Sequence, residues 1–152
     1  MKYQFIFLTM LIFLASCGNT GNSENNSETT KESQQVAAAP DPKDNIGVGP
    51  ITEIQLGELD PKMAEAGKAI FDAKCTACHK IDAKYIGPAI QGVINRRNPV
   101  WIMNMILAPD KMIASDPIAK KLLGEANGAP MANQNLTETE ARQILEYFRQ
   151  IQ

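Results

Sequence analysis

Residues 74–80 read KCTACHK. Cys75 and Cys78 stand three apart, and His79, the only histidine in the 152-residue chain, follows at once. Three chemistries use such spacing. A thiol–disulfide pair usually opens a helix beside a parallel sheet; here the motif follows a helical pattern in a chain without convincing strand alternation. A tetrahedral zinc site asks for four ligands, commonly as two separated pairs, and no second Cys or His cluster exists.

The third chemistry is the Cys-x-x-Cys-His attachment of a c-type haem. Two thiols add to the two vinyl groups on one side of the porphyrin, and the next residue is turned under the ring, where its imidazole meets the iron. This reading is favoured, with zinc and the dithiol as alternatives. Its cofactor is one covalently bound haem c, held by Cys75, Cys78 and His79.

The amino terminus agrees with it. Residues 2–17, KYQFIFLTMLIFLASC, combine an early lysine, an apolar run from Phe5 to Leu14 broken by Thr9, and small residues before Cys17. A run of ten residues is too short to cross a hydrocarbon layer of about 30 Å, so the segment reads as an export signal. Its ending, LASC, resembles a bacterial lipobox, which makes Cys17 the lipidation site; a plain signal peptide is the alternative. A lipidated Cys17 sits on the membrane surface and does not span it. The expected location is exported, lipid-anchored to a bacterial membrane, with the domain facing the periplasm. Haem attachment outside the cytoplasm suits that route.

Three segments follow: residues 1–16 as the lipoprotein signal, 17–57 as lipidated cysteine, flexible tether and extended lead-in, and 58–152 as the folded domain. Residues 18–35 hold no aliphatic or aromatic side chain, too little apolar surface to offset the entropy of ordering. As a coil, residues 18–59 reach roughly 30–40 Å. Residues 46–59, IGVGPITEIQLGEL, regain Ile, Val and Leu and are expected to lie against the domain. The net charge of −2 hides a split: residues 18–59 carry seven acids and two lysines, residues 60–152 ten acids and twelve Lys or Arg. The slightly basic domain suits a partner with an acidic face. No basic run or stripe with interleaved aromatics points to nucleic acid.

The domain reads as all-α. Asp60-Pro61 caps and starts a helix to about Ala73. Asn98-Pro99 starts PVWIMNMILA, apolar nearly all round and therefore buried, with Pro109 as its stop. Asp116-Pro117 starts a helix ending at Asn127-Gly128. Thr137 and Glu140 form a capping box before a last helix to Ile151, burying Ala141, Ile144, Leu145 and Phe148. About 92 residues in four short helices make a thin core, which asks for a large apolar insert.

The stretch from about Leu59 to Gln152 resembles class I cytochrome c. Gly67 and Phe71 stand eight and four residues before Cys75 in GKAIFDAKCTACH; ILEYF matches the C-terminal helix and IGPAIQGV the segment after the haem motif. The resemblance implies a small cytochrome c fold of four to five helices around one haem. It also implies that Ile144 and Tyr147 meet Gly67 and Phe71, and that the Pro88 carbonyl accepts a hydrogen bond from the His79 ring, fixing the ring and tuning its basicity.

The lone His79 excludes bis-histidine ligation within one chain. The iron's sixth ligand is then a methionine, another group, or nothing, and His/Met ligation is the electron-transfer form. Met63 lies on the first helix, and Met103 and Met105 read as core filler on the buried one. Met112 and Met131 read as loop residues. By resemblance Met131, in the loop before the last helix, is the axial ligand, with Met112 and an open site as alternatives. Trp101 is either core or a donor to a haem propionate. Arg96 and Arg97 are either propionate partners or solvated charges, and Tyr85 either lines the haem edge or packs. Lys74, Lys80, Lys84, Lys111, Lys120 and Lys121 are either solubilising charge or a basic docking rim.

The resemblance implies a monohaem carrier of electrons, not an enzyme: membrane-tethered, in a respiratory chain, passing electrons between redox proteins without a small-molecule substrate. The lead-in and WIMNMILAPDKM also look like small lipoprotein cytochromes associated with respiratory reductases, including nitrous oxide reductase, so a dedicated donor or subunit is an alternative. A haem enzyme or gas sensor with an open sixth site is the other.

Overall fold

A computed structural model describes residues 41–152; the signal, Cys17 and the tether lie outside them. Six helices form in the order α1 (Pro61–Lys74), α2 (Val93–Arg96), α3 (Pro99–Leu107), α4 (Pro109–Ser115), α5 (Pro117–Glu125) and α6 (Glu138–Gln150). No strand occurs among the described residues. The fold is all-α, as expected, with two helices more than the sequence pattern showed. Helix α2 is a single turn after Gly92, whose φ of 68° breaks the chain direction, and a period is unreadable over four residues. Pro109 was expected to stop a helix; it also begins α4, because a proline at the first helical position gives up an N–H that no carbonyl needs.

Side chains fix the helix starts. Asp60 Oδ1 accepts the N–H groups of Lys62 (2.9 Å) and Met63 (3.2 Å). Asn98 and Asp116 cap α3 and α5 in the same way. Thr137 and Glu140 close the reciprocal box at α6. Helix α5 ends with Asn127 and Gly128 at φ of 54° and 80°, and the Gly128 N–H returns to the Leu123 carbonyl (2.9 Å).

Helix α1 crosses α6 with Gly67 at the contact: a Cβ there would collide with the Gln143 carbonyl, and would stand 2.8 Å from the Ile144 nitrogen. Beside the crossing Phe71 packs on Tyr147 and Phe148, ring centroids 5.6 and 5.8 Å away. The expected pairing of Gly67 and Phe71 with Ile144 and Tyr147 is what forms. Helix α3 is buried on nearly all sides, with Trp101, Ile102, Met103 and Ile106 in the core.

The lead-in is part of this body. Asn104, 1% exposed on α3, accepts the Ile51 N–H (2.9 Å) and donates to the carbonyls of Ile46 (3.0 Å) and Ile51 (2.9 Å). The Val48 N–H meets Met112 Sδ at 3.0 Å, and Asn98 Nδ2 donates to the Lys43 carbonyl. Residues 43–51 therefore form a strap over α3 and α4, and the packed domain begins ahead of residue 58.

A second tie joins the two ends of the fold. Glu146, fully buried on α6, accepts the Asp60 N–H (2.9 Å), Arg149 Nη1 (2.8 and 2.9 Å) and Arg142 Nη1, while Arg149 Nη2 reaches the Gly57 carbonyl. Burial opposes its charge, but the Asp60 N–H and the two guanidiniums outweigh burial and hold it below its ordinary value of 4.5. A depressed folded-state pKa gives stability that is present above the unfolded value and lost as pH falls through the folded one. Glu146→Gln is expected to cost roughly 2–4 kcal/mol at neutral pH, because two half-buried guanidiniums lose their charge partner. Denaturant melts of the variant should also show a shallower loss of stability with pH below 4.5 than the wild type. An unchanged acid slope would exclude Glu146 as its source.

Candidate haem site

The C-terminal end of α1 delivers the motif. The helix turns on past Lys74, with the N–H of Cys75 on the Phe71 carbonyl and those of Cys78 (3.1 Å) and His79 (2.9 Å) on the Cys75 carbonyl. The chain then folds back: Gly87 N–H returns to the Cys78 carbonyl (2.8 Å), Ile90 to Lys80 and Gln91 to Ile81. This doubled loop sets the Pro88 carbonyl 3.0 Å from His79 Nδ1. Nδ1–H is thereby the donor, and Nε2 is left with its lone pair for a metal. Gly87 lies against the ring: a Cβ on it would stand 2.7 Å from Nδ1 and 2.9 Å from Nε2.

His79 opens onto an apolar cleft with about 1250 Å³ of empty space, part of it open to solvent. Cys75, Cys78 and Pro88 line it together with Trp101, Ile106, Leu122, Met131 and Phe148. Cys75 and Cys78 are free thiols, half-buried and exposed. Burial, chiefly, pushes the Cys75 thiol up to about 11, so before attachment it is neutral. Among the described residues no group of three or more His, Cys, Asp and Glu converges as a metal cage, so the zinc alternative lacks its ligand set.

The methionines separate. Met131 lines the cleft; Met112 does not. Met112 is fully buried on α4, not in a loop, and its sulfur faces the strap at Val48. Met103 is core, whereas Met105, two residues on, lines the cleft. The Met131 loop is held by two asparagines that the sequence reading passed over. Asn133 Oδ1 accepts the Asn135 N–H (2.8 Å), and Asn135 takes φ 51°, a region asparagine tolerates.

Trp101 lines the cleft, but its indole N–H is donated to Asp116 Oδ1 (3.1 Å). The propionate alternative for Trp101 therefore gives way to a wall residue with its donor already satisfied. Arg96 likewise donates to the carbonyls of Gln91 (2.7 Å) and Ala89 (2.9 Å), clipping the loop outside the cleft lining. Arg97 instead lies over the Trp101 ring, 5.5 Å from its centroid. Among the lysines, Lys74 lines the cleft. Lys80 stands 5.1 Å over the exposed Tyr85 ring, and Lys84 Nζ donates to the Glu125 carbonyl (2.6 Å), tying the motif loop to the end of α5. Lys111, Lys120 and Lys121 are exposed on α4 and α5. The sequence patterns gave no signal for Asp116 beyond its capping role, or for Lys84 as a tie.

The family model for cytochrome c matches residues 64–152. The chain belongs to the cytochrome c family. Cytochrome c-551 of Stutzerimonas stutzeri is 30% identical over 94 residues, 59% of this chain and 80% of that protein. A cytochrome c-553-like protein of Synechocystis sp. is 44% identical over 46 residues, 30% of this chain and less than half, 44%, of its own length. The solved cytochrome c from Rhodothermus marinus superposes with a TM-score of 0.66 at 45% identity, over 68% of this chain and 89% of that one. The cytochrome accordingly binds one covalent haem c, and its residues fit that group: paired free thiols at the margin, an imidazole with one free nitrogen, an apolar cleft and a thioether within it.

Gly87→Ala is expected to push the His79 ring from its seat. The purified variant should carry several-fold less covalent haem per chain than the wild type, measured as pyridine haemochrome. Gly124→Ala, where a Cβ meets nothing within 4 Å, should load normally.

Proposed function

We propose that this cytochrome is a membrane-tethered electron carrier whose iron is held by His79 and Met131 and whose partners are redox proteins of a respiratory chain. The observation that carries the reading is that His79, with Nδ1 spent on Pro88, and Met131 line one apolar cleft. When bound, the haem supplies reversible one-electron chemistry at its iron. The chain's own residues do the rest. Pro88 keeps the imidazole in one tautomer and orientation. Ile106, Leu122 and Phe148 exclude water, which limits reorganisation around the site. Asn133 and Asn135 hold the loop that presents the Met131 sulfur. A satisfied sixth position leaves no place for a substrate, which favours carriage over catalysis.

Electrons would leave by the margin where Ile86 and Tyr85 are 41% and 57% exposed, among Lys74, Lys80 and Lys84. Basic side chains around an apolar spot favour encounter with an acidic partner. Lipidation of Cys17 would keep the domain at the membrane, and the tether would raise its effective concentration near donor and acceptor.

Four measurements test this. Reduced wild-type holoprotein should give a six-coordinate low-spin spectrum that carbon monoxide leaves in place; a rapid shift would favour a gas-binding or catalytic site. Met131→Ala should remove the sulfur-to-iron charge-transfer band of the oxidised form and lower the potential markedly. In cells, Cys17→Ala should move the holoprotein from the membrane to the soluble fraction, and its oxidation by washed membranes should slow as salt is added. Retention at the membrane would refute the anchor, and indifference to salt the basic rim.

A further inference from the structure

Behind the cleft wall lies one carboxylate that electron carriage, as described, leaves without a task. Asp116 is 3% exposed. A helix cap needs one oxygen and no charge; serine, threonine or asparagine does as well. Asp60 and Thr137 perform that role at exposed positions. Asp116 does more. Its Oδ1 accepts both the Ala119 N–H (2.8 Å) and the Trp101 indole N–H (3.1 Å), and its Oδ2 accepts Asn45 Nδ2 from the strap (2.6 Å). Trp101 and Ala119 both line the cleft. The carboxylate thus stands one side chain behind the haem wall, on the side of the strap.

We propose that Asp116 is a positioning residue that sets the reduction potential: it locks the Trp101 wall between strap and cleft, and its buried negative charge favours the oxidised iron. This rests on the reading of the site as a haem electron carrier. Reduction adds one electron to the iron, and a nearby fixed negative charge disfavours that addition. The interaction is several-fold stronger in a protein interior than across water. Three donors occupy the carboxylate's two oxygens, so it is held in one place and orientation. Arg97, over the ring of Trp101, is the facing cation and balances part of the carboxylate's charge.

A purely structural role predicts the opposite sign. A loosened wall admits water, which favours the more highly charged ferric form and lowers the potential. The test is a spectroelectrochemical titration of the wild-type holoprotein, Asp116→Asn and Asp116→Ser. Asparagine keeps an acceptor for Trp101 and Ala119, whereas serine keeps only the cap; both delete the charge. Both potentials should rise, with the methionine–iron band unchanged in Asp116→Asn. An unchanged or lowered potential in Asp116→Asn overturns the proposal, and Asp116→Ser decides in the same way if the asparagine variant does not accumulate haem. If neither does, the wild type decides by NMR: the indole N–H of the chain's single tryptophan should exchange slowly with solvent in both oxidation states, and exchange at the rate of a free indole overturns the proposal. Failure of the carrier reading would show separately, as a carbon monoxide-sensitive wild-type spectrum.

Discussion

At the crossing of α1 and α6 the backbone of Gly67 lies against the carbonyl of Gln143, with no room for a side chain between them. That contact sets how closely the two ends of the domain approach, and everything in the site is measured from it. Helix α1 ends in the haem motif, so its axial position fixes where Cys75, Cys78 and His79 stand. Helix α6 begins at the close of the Met131 loop, so its position fixes where that loop ends. Phe71, Tyr147 and Phe148 fill the wedge beside the crossing, and Phe148 goes on to line the cleft. The buried Glu146 guards the same geometry by a different force. It joins α6 to the cap of α1 and, through Arg149, to the lead-in, so a slip of one helix along the other would strand a charge.

Much of this was legible because it depends on spacing. Gly67, Phe71 and the motif lie on one helical count, and a cap with a proline marks its start. The capping box at Thr137 and Glu140 marks the last helix by the same local chemistry. The approach of His79 to Pro88 was implied by the family resemblance of IGPAIQGV, and the loop between them closes on its own backbone. What escaped the sequence depends on side chains that meet across long separations. Asn104 and Ile51 are 53 residues apart, and Asn45 and Asp116 are 71 apart. No period or cap announces such pairs. Met112 illustrates the cost: between a proline and an Asp-Pro it read as a loop residue free to reach iron, yet a short helix and the strap take it into the core.

The strap changes the account of how so small a domain holds its distal side. Helices α3, α4 and α5 are short, and isolated helices of that length are marginal in water. Apolar packing secures α3, but α4 and α5 have one face toward the cleft and little behind them. The lead-in supplies that backing with polar contacts. Asn104 satisfies backbone groups on either side of Gly49, and that approach is possible because neither Gly47 nor Gly49 carries a Cβ: one on Gly47 would stand 2.6 Å from the Met112 sulfur, and one on Gly49 would strike Asn104. Gly47 also takes φ 70°, where other residues are strained.

The strap and the cofactor therefore bear on the same wall from opposite sides. Trp101 is the shared element, with its ring at the cleft, its N–H on Asp116, and its Cδ1 3.1 Å from where a Cβ on Gly47 would lie. A core of this size gains little from its own side chains beyond the cost of ordering them. The haem face and the strap face each bury surface that the other leaves open. Loss of either should loosen the same helices, so the segment that leads back toward the tether is bound into the stability of the site it carries. Length between Asn45 and Asn104's two backbone partners is fixed, because each is held by a buried group.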